Sequence, residues 1–144
     1  MGAAVALHAA AVLPADTIAG VAAVGGWTPM RANGGNASTG GNKMLYETHA
    51  LVPRLGLFAG KEKAIPYDYD ELLAAVAPRP ALIYTPTGNR FADPAQVAAA
   101  VKSAKKAWAS KGAESKLEWA APDAPSDFKD SEIAAVLSWV ESVV

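Results

Sequence analysis

Residues 77–94 run APRPALIYTPTGNRFADP, and this stretch decides the fold. Residues 81–85 (ALIYT) are mostly apolar and lie between a proline-rich approach and a Pro-Thr-Gly turn, which predicts a buried strand. Asp93 and Pro94 then predict a helix N-cap followed by proline at the first helical position. The helix they open carries inward positions at helical spacing, which are Val97, Val101, Ala104 and Trp108.

The same alternation of strand and helix extends in both directions. The other predicted elements are helices at residues 2–12 and 69–77, strands at residues 17–24 and 116–120, and a closing helix with an apolar stripe of Ile133, Val136, Leu137, Val140 and Val144. This order predicts a single α/β domain over residues 1–144, with about three parallel strands flanked by helices. Sheets usually hold roughly 4 to 6 strands, so we expect part of a larger fold.

Composition narrows the function classes. The chain has 144 residues, 51% of them hydrophobic, and a net charge of −1, which does not favour nucleic acid or an anionic membrane as a partner. The absence of cysteine excludes thiolate sites, and two histidines do not favour a metal centre, so we predict neither metal nor cofactor. Residues 1–26 lack a basic start and contain Pro14 and Asp16, which argues against a signal peptide and favours a cytoplasmic protein.

Several segments together resemble the α/β-hydrolase superfamily, in particular its dienelactone-hydrolase-like and acetyl-xylan-esterase-like members. The segments are MGAAVALHAAAV, GGWTPMR, STGG, LYETHALVPRLGLFAG, IPYDYDELLAAVAPRPALIYTPTGNRFADP and the closing helix. The resemblance spans nearly the whole chain but only the C-terminal half of that fold. It implies carboxylic-ester hydrolysis by a serine acyl-enzyme route as the ancestral reaction.

The residues that open the chain resemble the end of the family's nucleophile elbow. Met1, Gly2 and Ala3 are similar to the three residues after the serine in a G-x-S-M-G-A elbow. The resemblance therefore implies that the catalytic serine is not in this chain. It also puts Met1 at the position whose backbone N–H helps to hold the oxyanion.

The other triad positions carry unusual residues. By the resemblance, the acid position after the strand at residues 81–85 is Asn89, and Asp93 is the nearest carboxylate. Asparagine can orient a histidine but cannot stabilise an imidazolium with charge, and Asp93 is also the expected N-cap. The histidine position falls at or next to Ser126, so the resemblance implies an incomplete triad.

Five further residues are weighed as site candidates. His49, in the subgroup motif YETHALVPRLG after the Gly-rich loop of residues 27–43, is either a base or a structural histidine, and we expect it to line any pocket that this loop encloses. The sequence around Ser38 is similar to the nucleophile elbow, but no apolar strand comes directly before it, as the elbow requires. The substrate-binding candidates are Trp27, Arg31 and Arg54, and the alternative for the two arginines is a salt bridge that pins a loop.

Two functions stay open at this stage. The first is a hydrolase-family domain that acts on a small-molecule ester once the rest of its site is supplied. The alternative is a non-catalytic remnant that serves as a binding or assembly module. Because residues 17–24 contain no charge to protect a strand edge, we expect the partner to be a second copy, as a homodimer, or the missing N-terminal half.

Overall fold

The computed structural model describes residues 2–31 and 41–143, and it contains helices and strands in the predicted order. The helices are α1 (Gly2–Val12), α2 (Tyr69–Val76), α3 (Pro94–Ala109) and α4 (Asp130–Val143). The strands are β1 (Val21–Val24), β2 (Ala81–Tyr84) and β3 (Leu117–Ala120). Within the described ranges, no helix is both long and apolar enough to cross a membrane.

The three strands form one parallel sheet in the order β1-β2-β3, which confirms the predicted α/β fold class. Side chains alternate between the faces of β2, as strand geometry requires. Ala81 and Ile83 join the core beneath α1, α2 and α3, whereas Leu82 and Tyr84 pack against Trp139 of α4. The sheet therefore has three helices on one face and one helix on the other.

The three-helix face is fully packed. Val97, Val101, Ala104 and Trp108 of α3 are all buried, as their spacing predicts. Arg79 fastens α1 to the end of α2, because its guanidinium donates to the carbonyls of Ala10, Leu13 and Ile18, and its Nε donates to Val76 O at 3.0 Å. This one side chain satisfies carbonyls at the C-terminal ends of both helices.

The closing helix contacts the sheet with a different face from the one its apolar stripe suggests. The buried positions of α4 are Glu132 and Trp139, whereas Ile133, Leu137 and Val140 are 40%, 57% and 39% exposed. One residue along a helix is a rotation of about 100°, so these three side chains of the stripe are turned away from the sheet, whereas Val136 packs against the cluster around Trp139. The stripe lies on the β1 side, because its member Val136 lines a cavity together with Ala22 and Val24 of β1.

The start of the first strand differs from prediction for a local reason. The first strand begins at Val21 rather than at residue 17, because Thr17 and Ile18 both donate to Pro14 O at 3.0 Å in a tight turn. Farther along the chain, Pro53 starts a 3-10 helix, Pro53–Phe58. Proline suits that position because it is preset for helical φ and needs no backbone donor.

Candidate functional site

The loops after β2 and β3 continue side by side beyond the sheet. Thr87 N donates to Pro122 O at 2.9 Å, and Gly88 N donates to Ala124 O at 3.0 Å. Gly88 must be glycine at this crossing, since an added Cβ would lie 2.8 Å from Ala124 O. The paired backbones therefore bring together the residues that come next, Asn89 and Ser126.

The end of β1 meets these two residues at Gly25. This glycine has φ +60°, and an added Cβ there would lie 2.3 Å from Asn89 Nδ2 and 3.2 Å from Ser126 Oγ. Only glycine adopts this conformation without strain and leaves room for the amide. The three strand ends thus converge. Asn89 and Ser126, which the family resemblance assigns to the catalytic acid and histidine positions, lie next to each other there.

Asn89 is held in one orientation. It is 6% exposed, and its Oδ1 accepts the backbone N–H of Phe91 at 2.9 Å. Because the oxygen is fixed by a donor, Nδ2 must be the group that faces Gly25 and Ser126. Across residues 2–31 and 41–143, no oxygen accepts a hydrogen bond from Nδ2.

A pocket of about 440 Å³ opens over this convergence. Its lining residues are Val24, Gly26, Gly88, Asn89, Arg90, Phe91, Pro125 and Ser126. The guanidinium carbon of Arg90 lies 4.8 Å from the centre of the Phe91 ring, at cation–π distance. Arg90 gives the lining residues a positive charge, and no carboxylate or imidazole is among them.

Two predicted catalytic candidates lie elsewhere. Asp93 caps α3, with Oδ1 accepting from Ala95 N at 3.0 Å and Gln96 N at 3.2 Å, which confirms the N-cap prediction. His49 is exposed at the end of a π-helical turn, Met44–Thr48, and does not line the pocket at the strand ends. Neither side chain joins Asn89 and Ser126 there.

The substrate-binding candidates are likewise away from that pocket. Trp27 is 1% exposed, with its ring centre 4.6 Å from that of Tyr69 in the core. Arg31 pins its loop, because its Nε donates to Ile65 O at 2.8 Å and its guanidinium lies 3.0 Å from Glu71. Arg54 is exposed. Met1 and Ser38 lie outside the described residues.

One polar group in the core, Asp68 with the adjoining Tyr69, was not singled out as a site in the sequence. Asp68 caps α2 and also accepts the backbone N–H groups of Met30 and Arg31, at 2.7 and 2.8 Å, which ties the loop after β1 to α2. Beside it, burial raises the pKa of Tyr69 far above its usual value, and the charge of Asp68 adds to that effect. Asp68 therefore fastens the loop after β1 to α2, and Tyr69 fills the core beside it.

Sequence reasoning also missed the contribution of Arg90 and Phe91 to the pocket. The only signal was their position, directly after the residue assigned to the acid in the loop after β2. Loop residues at the carboxyl ends of parallel strands commonly form the site in α/β folds. The sequence does not show which of them face the same cavity.

No protein-family model matches the chain, and no curated protein matches it. Three solved structures are similar: a promiscuous CE15 esterase from a marine bacterial metagenome (TM-score 0.74, 17% identity), a CE15 glucuronoyl esterase from Caldicellulosiruptor kristjansonii (0.76, 17%) and the glucuronoyl esterase catalytic domain from Hypocrea jecorina (0.74, 14%). Each alignment covers 99% of this chain but only 40%, 40% and 41% of those chains, respectively. The likeness shows the fold, and this chain has part of an α/β-hydrolase fold.

Proposed function

We propose that this chain forms the C-terminal part of an ester-hydrolysing α/β-hydrolase site and does not hydrolyse esters alone. The observation that carries the proposal is the meeting of Asn89 and Ser126 beside Gly25 at the carboxyl ends of the strands. Those two positions correspond to the acid and the histidine in the resemblance, yet neither residue supplies a charge or a base. Ester hydrolysis would then need a nucleophile and a base from another polypeptide segment.

The chemistry of the pocket supports the proposal that the nucleophile and the base come from another polypeptide segment. Asn89 can donate a hydrogen bond but cannot stabilise an imidazolium as a carboxylate does. The hydroxyl of Ser126 is a weak nucleophile without a neighbouring base. This chain would therefore position the substrate, while the proton transfers take place on groups outside the described residues. The names of the structural neighbours make glucuronoyl esters the first substrate class to test.

The first experiment measures hydrolysis of p-nitrophenyl acetate by the purified chain. We expect a rate close to the uncatalysed background, because loss of triad members costs several powers of ten in rate. The Ser126→Ala variant should give the same rate. Robust turnover that a serine-directed phosphonate abolishes would overturn the proposal, and the mass of the labelled peptide would identify the nucleophile.

A second experiment asks what would complete the site. If the coding sequence upstream of Met1 encodes, in frame, a strand that ends in Gly-x-Ser, the longer chain should hydrolyse a glucuronoyl ester. In that longer chain, we expect the double substitution Asn89→Asp with Ser126→His to raise the rate at least about tenfold, since it supplies the missing charge and base. No gain in an otherwise folded protein would contradict the assignment of these two positions.

The second candidate function is a non-catalytic binding module on the same scaffold. The specific observation that favours it is the absence of carboxylate and imidazole from the pocket lining that the described residues form. On this alternative, the longer chain would also lack esterase activity. The upstream experiment therefore separates the two functions.

A further inference from the structure

The pocket at the strand ends is lined by two side chains that can donate hydrogen bonds, Asn89 and Ser126. Asn89 Nδ2 and Ser126 Oγ both lie beside Gly25, where an added Cβ would be 2.3 and 3.2 Å from them, and both residues line the pocket. The amide is buried and its oxygen is already engaged, so the group it offers to the pocket is a donor. Because Nδ2 has no acceptor within the described residues, it is free to donate to a ligand in the pocket.

Arg90 is the charged residue among those that line this pocket. No ion pair involves it within the described ranges. The two carboxylates that flank the Ser126 loop are engaged elsewhere, since Asp123 accepts from Thr87 Oγ1 at 2.8 Å and Asp127 pairs with Lys129. A ligand with negative charge would therefore meet Arg90 without a competing carboxylate of this chain.

We propose that this pocket binds a small carboxylate. One carboxylate oxygen accepts from Asn89 Nδ2 and Ser126 Oγ, and the other meets the guanidinium of Arg90. The ring of Phe91, which is 36% exposed, packs against the apolar part of the ligand. This binding does not rest on ester hydrolysis, because it requires no nucleophile or base. It would hold the acid that a hydrolysed ester leaves behind.

The test is an NMR titration of the ¹⁵N-labelled full chain with sodium benzoate at low ionic strength. We expect saturable shifts of the Asn89 side-chain amide and of the backbone amides of Gly26, Gly88 and Phe91. Benzamide, which has the same shape without the charge, should bind at least tenfold more weakly. Half-molar sodium chloride should weaken benzoate binding, because salt screens an exposed guanidinium.

Two exposed side chains allow substitutions that leave the core intact. Arg90→Ala should weaken benzoate binding about tenfold, and Ser126→Ala should weaken it severalfold. The matched control is Lys102→Ala, which removes the same charge from the exposed face of α3 and should change the affinity less than twofold. Equal affinity for benzamide, or unchanged affinity in Arg90→Ala, would overturn the proposal even if ester hydrolysis were later found.

Discussion

The two faces of the sheet are built to different degrees of completeness. On one face, α1, α2 and α3 bury a continuous core in which Leu7, Leu73 and Trp108 are all 0% exposed. On the other face, α4 rests on β2 mainly through Trp139, and its apolar stripe stays exposed. Apolar periodicity therefore predicts which side chains gain by burial, but not whether this chain supplies the surface that buries them.

The two edges of the sheet also differ, because charged residues protect one edge from pairing and none protects the other. The strand β3 carries Glu118 and comes directly after Lys116, and charges of this kind discourage pairing with another strand. The strand β1 has no charged residue, and within the described ranges only β2 pairs with it. The unprotected edge and the exposed stripe of α4 lie on the same side of the molecule, so one partner can cover both.

The largest expected effect compares one substitution on the two faces. Leu73→Ala on the three-helix face should lower the free energy of unfolding by about 2–5 kcal/mol, because it leaves a cavity in a closed core. In the unassociated chain, Leu137→Ala on the α4 stripe should lower it by less than about 1 kcal/mol, because that side chain is 57% exposed there. Urea unfolding monitored by circular dichroism measures both values.

Equal losses for the two leucines would break this comparison, since they would mean that Leu137 is buried in the species present in solution. Repeating the measurement at tenfold lower protein concentration then shows whether a second copy buries it. A concentration-dependent loss identifies association, and a constant loss identifies coverage within one chain.

The next effect concerns the hydrogen bonds by which Arg79 joins α1 to the end of α2. Arg79→Ala should destabilise the chain by about 2 kcal/mol, because hydrogen bonds from a charged donor to several carbonyls are lost together. Arg79→Lys should recover only part of this, since an ammonium group cannot reproduce the guanidinium's fixed fork of donors. The control is Arg54→Ala, at an exposed arginine, which should be nearly neutral. A neutral Arg79→Ala variant would show that α1 is held by packing alone.

The fold was largely predictable because its signals are local. Strand β2 and the cap of α3 are encoded in a few adjacent residues, and the structure has both where the sequence predicts them. The orientation of α4 was not predictable. Its stripe shows a single apolar face, whereas the contact with the sheet depends on Trp139 and on how much sheet there is to cover.

The candidate site was predictable in part. Family resemblance pointed to Asn89 and Ser126, and the paired loops place them beside each other. The family resemblance did not indicate that Gly25 lies against Asn89 and Ser126, or that Arg90 lines the same pocket. These contacts depend on how the three strand ends meet in space. The expectation that His49 lines a pocket enclosed by residues 27–43 stays a prediction, since residues 32–40 of that loop are outside the described ranges.

A smaller effect tests the burial of Tyr69 on the three-helix face. Its folded-state pKa is raised, chiefly by burial and then by the charge of Asp68, so the folded state keeps a proton that the unfolded state loses above about pH 10. Stability from this group is thus complete below pH 10 and falls above it, by up to about 1.4 kcal/mol per pH unit. Tyr69→Phe should flatten this alkaline slope in urea unfolding measured from pH 9 to 11. An unchanged slope would contradict the effect.

The smallest effect concerns the partner that covers the β1 edge and the α4 stripe. We expect the chain to associate at micromolar concentration, because an uncharged strand edge and an adjacent apolar helix face both gain by pairing, and a two-fold dimer is the simplest closed arrangement. Sedimentation equilibrium should show a species heavier than 14.8 kDa.

Leu137→Ala should raise the dimer Kd about fivefold, which corresponds to about 1 kcal/mol of lost apolar contact. The matched control is Leu57→Ala, because Leu57 is 80% exposed but lies on neither α4 nor β1, and it should leave the Kd unchanged. A single species at 14.8 kDa over the whole concentration range would show that the edge does not recruit a second copy. A polypeptide that supplies the other strands of an α/β-hydrolase fold would then be the partner to test, by mixing it with this chain and repeating the measurement.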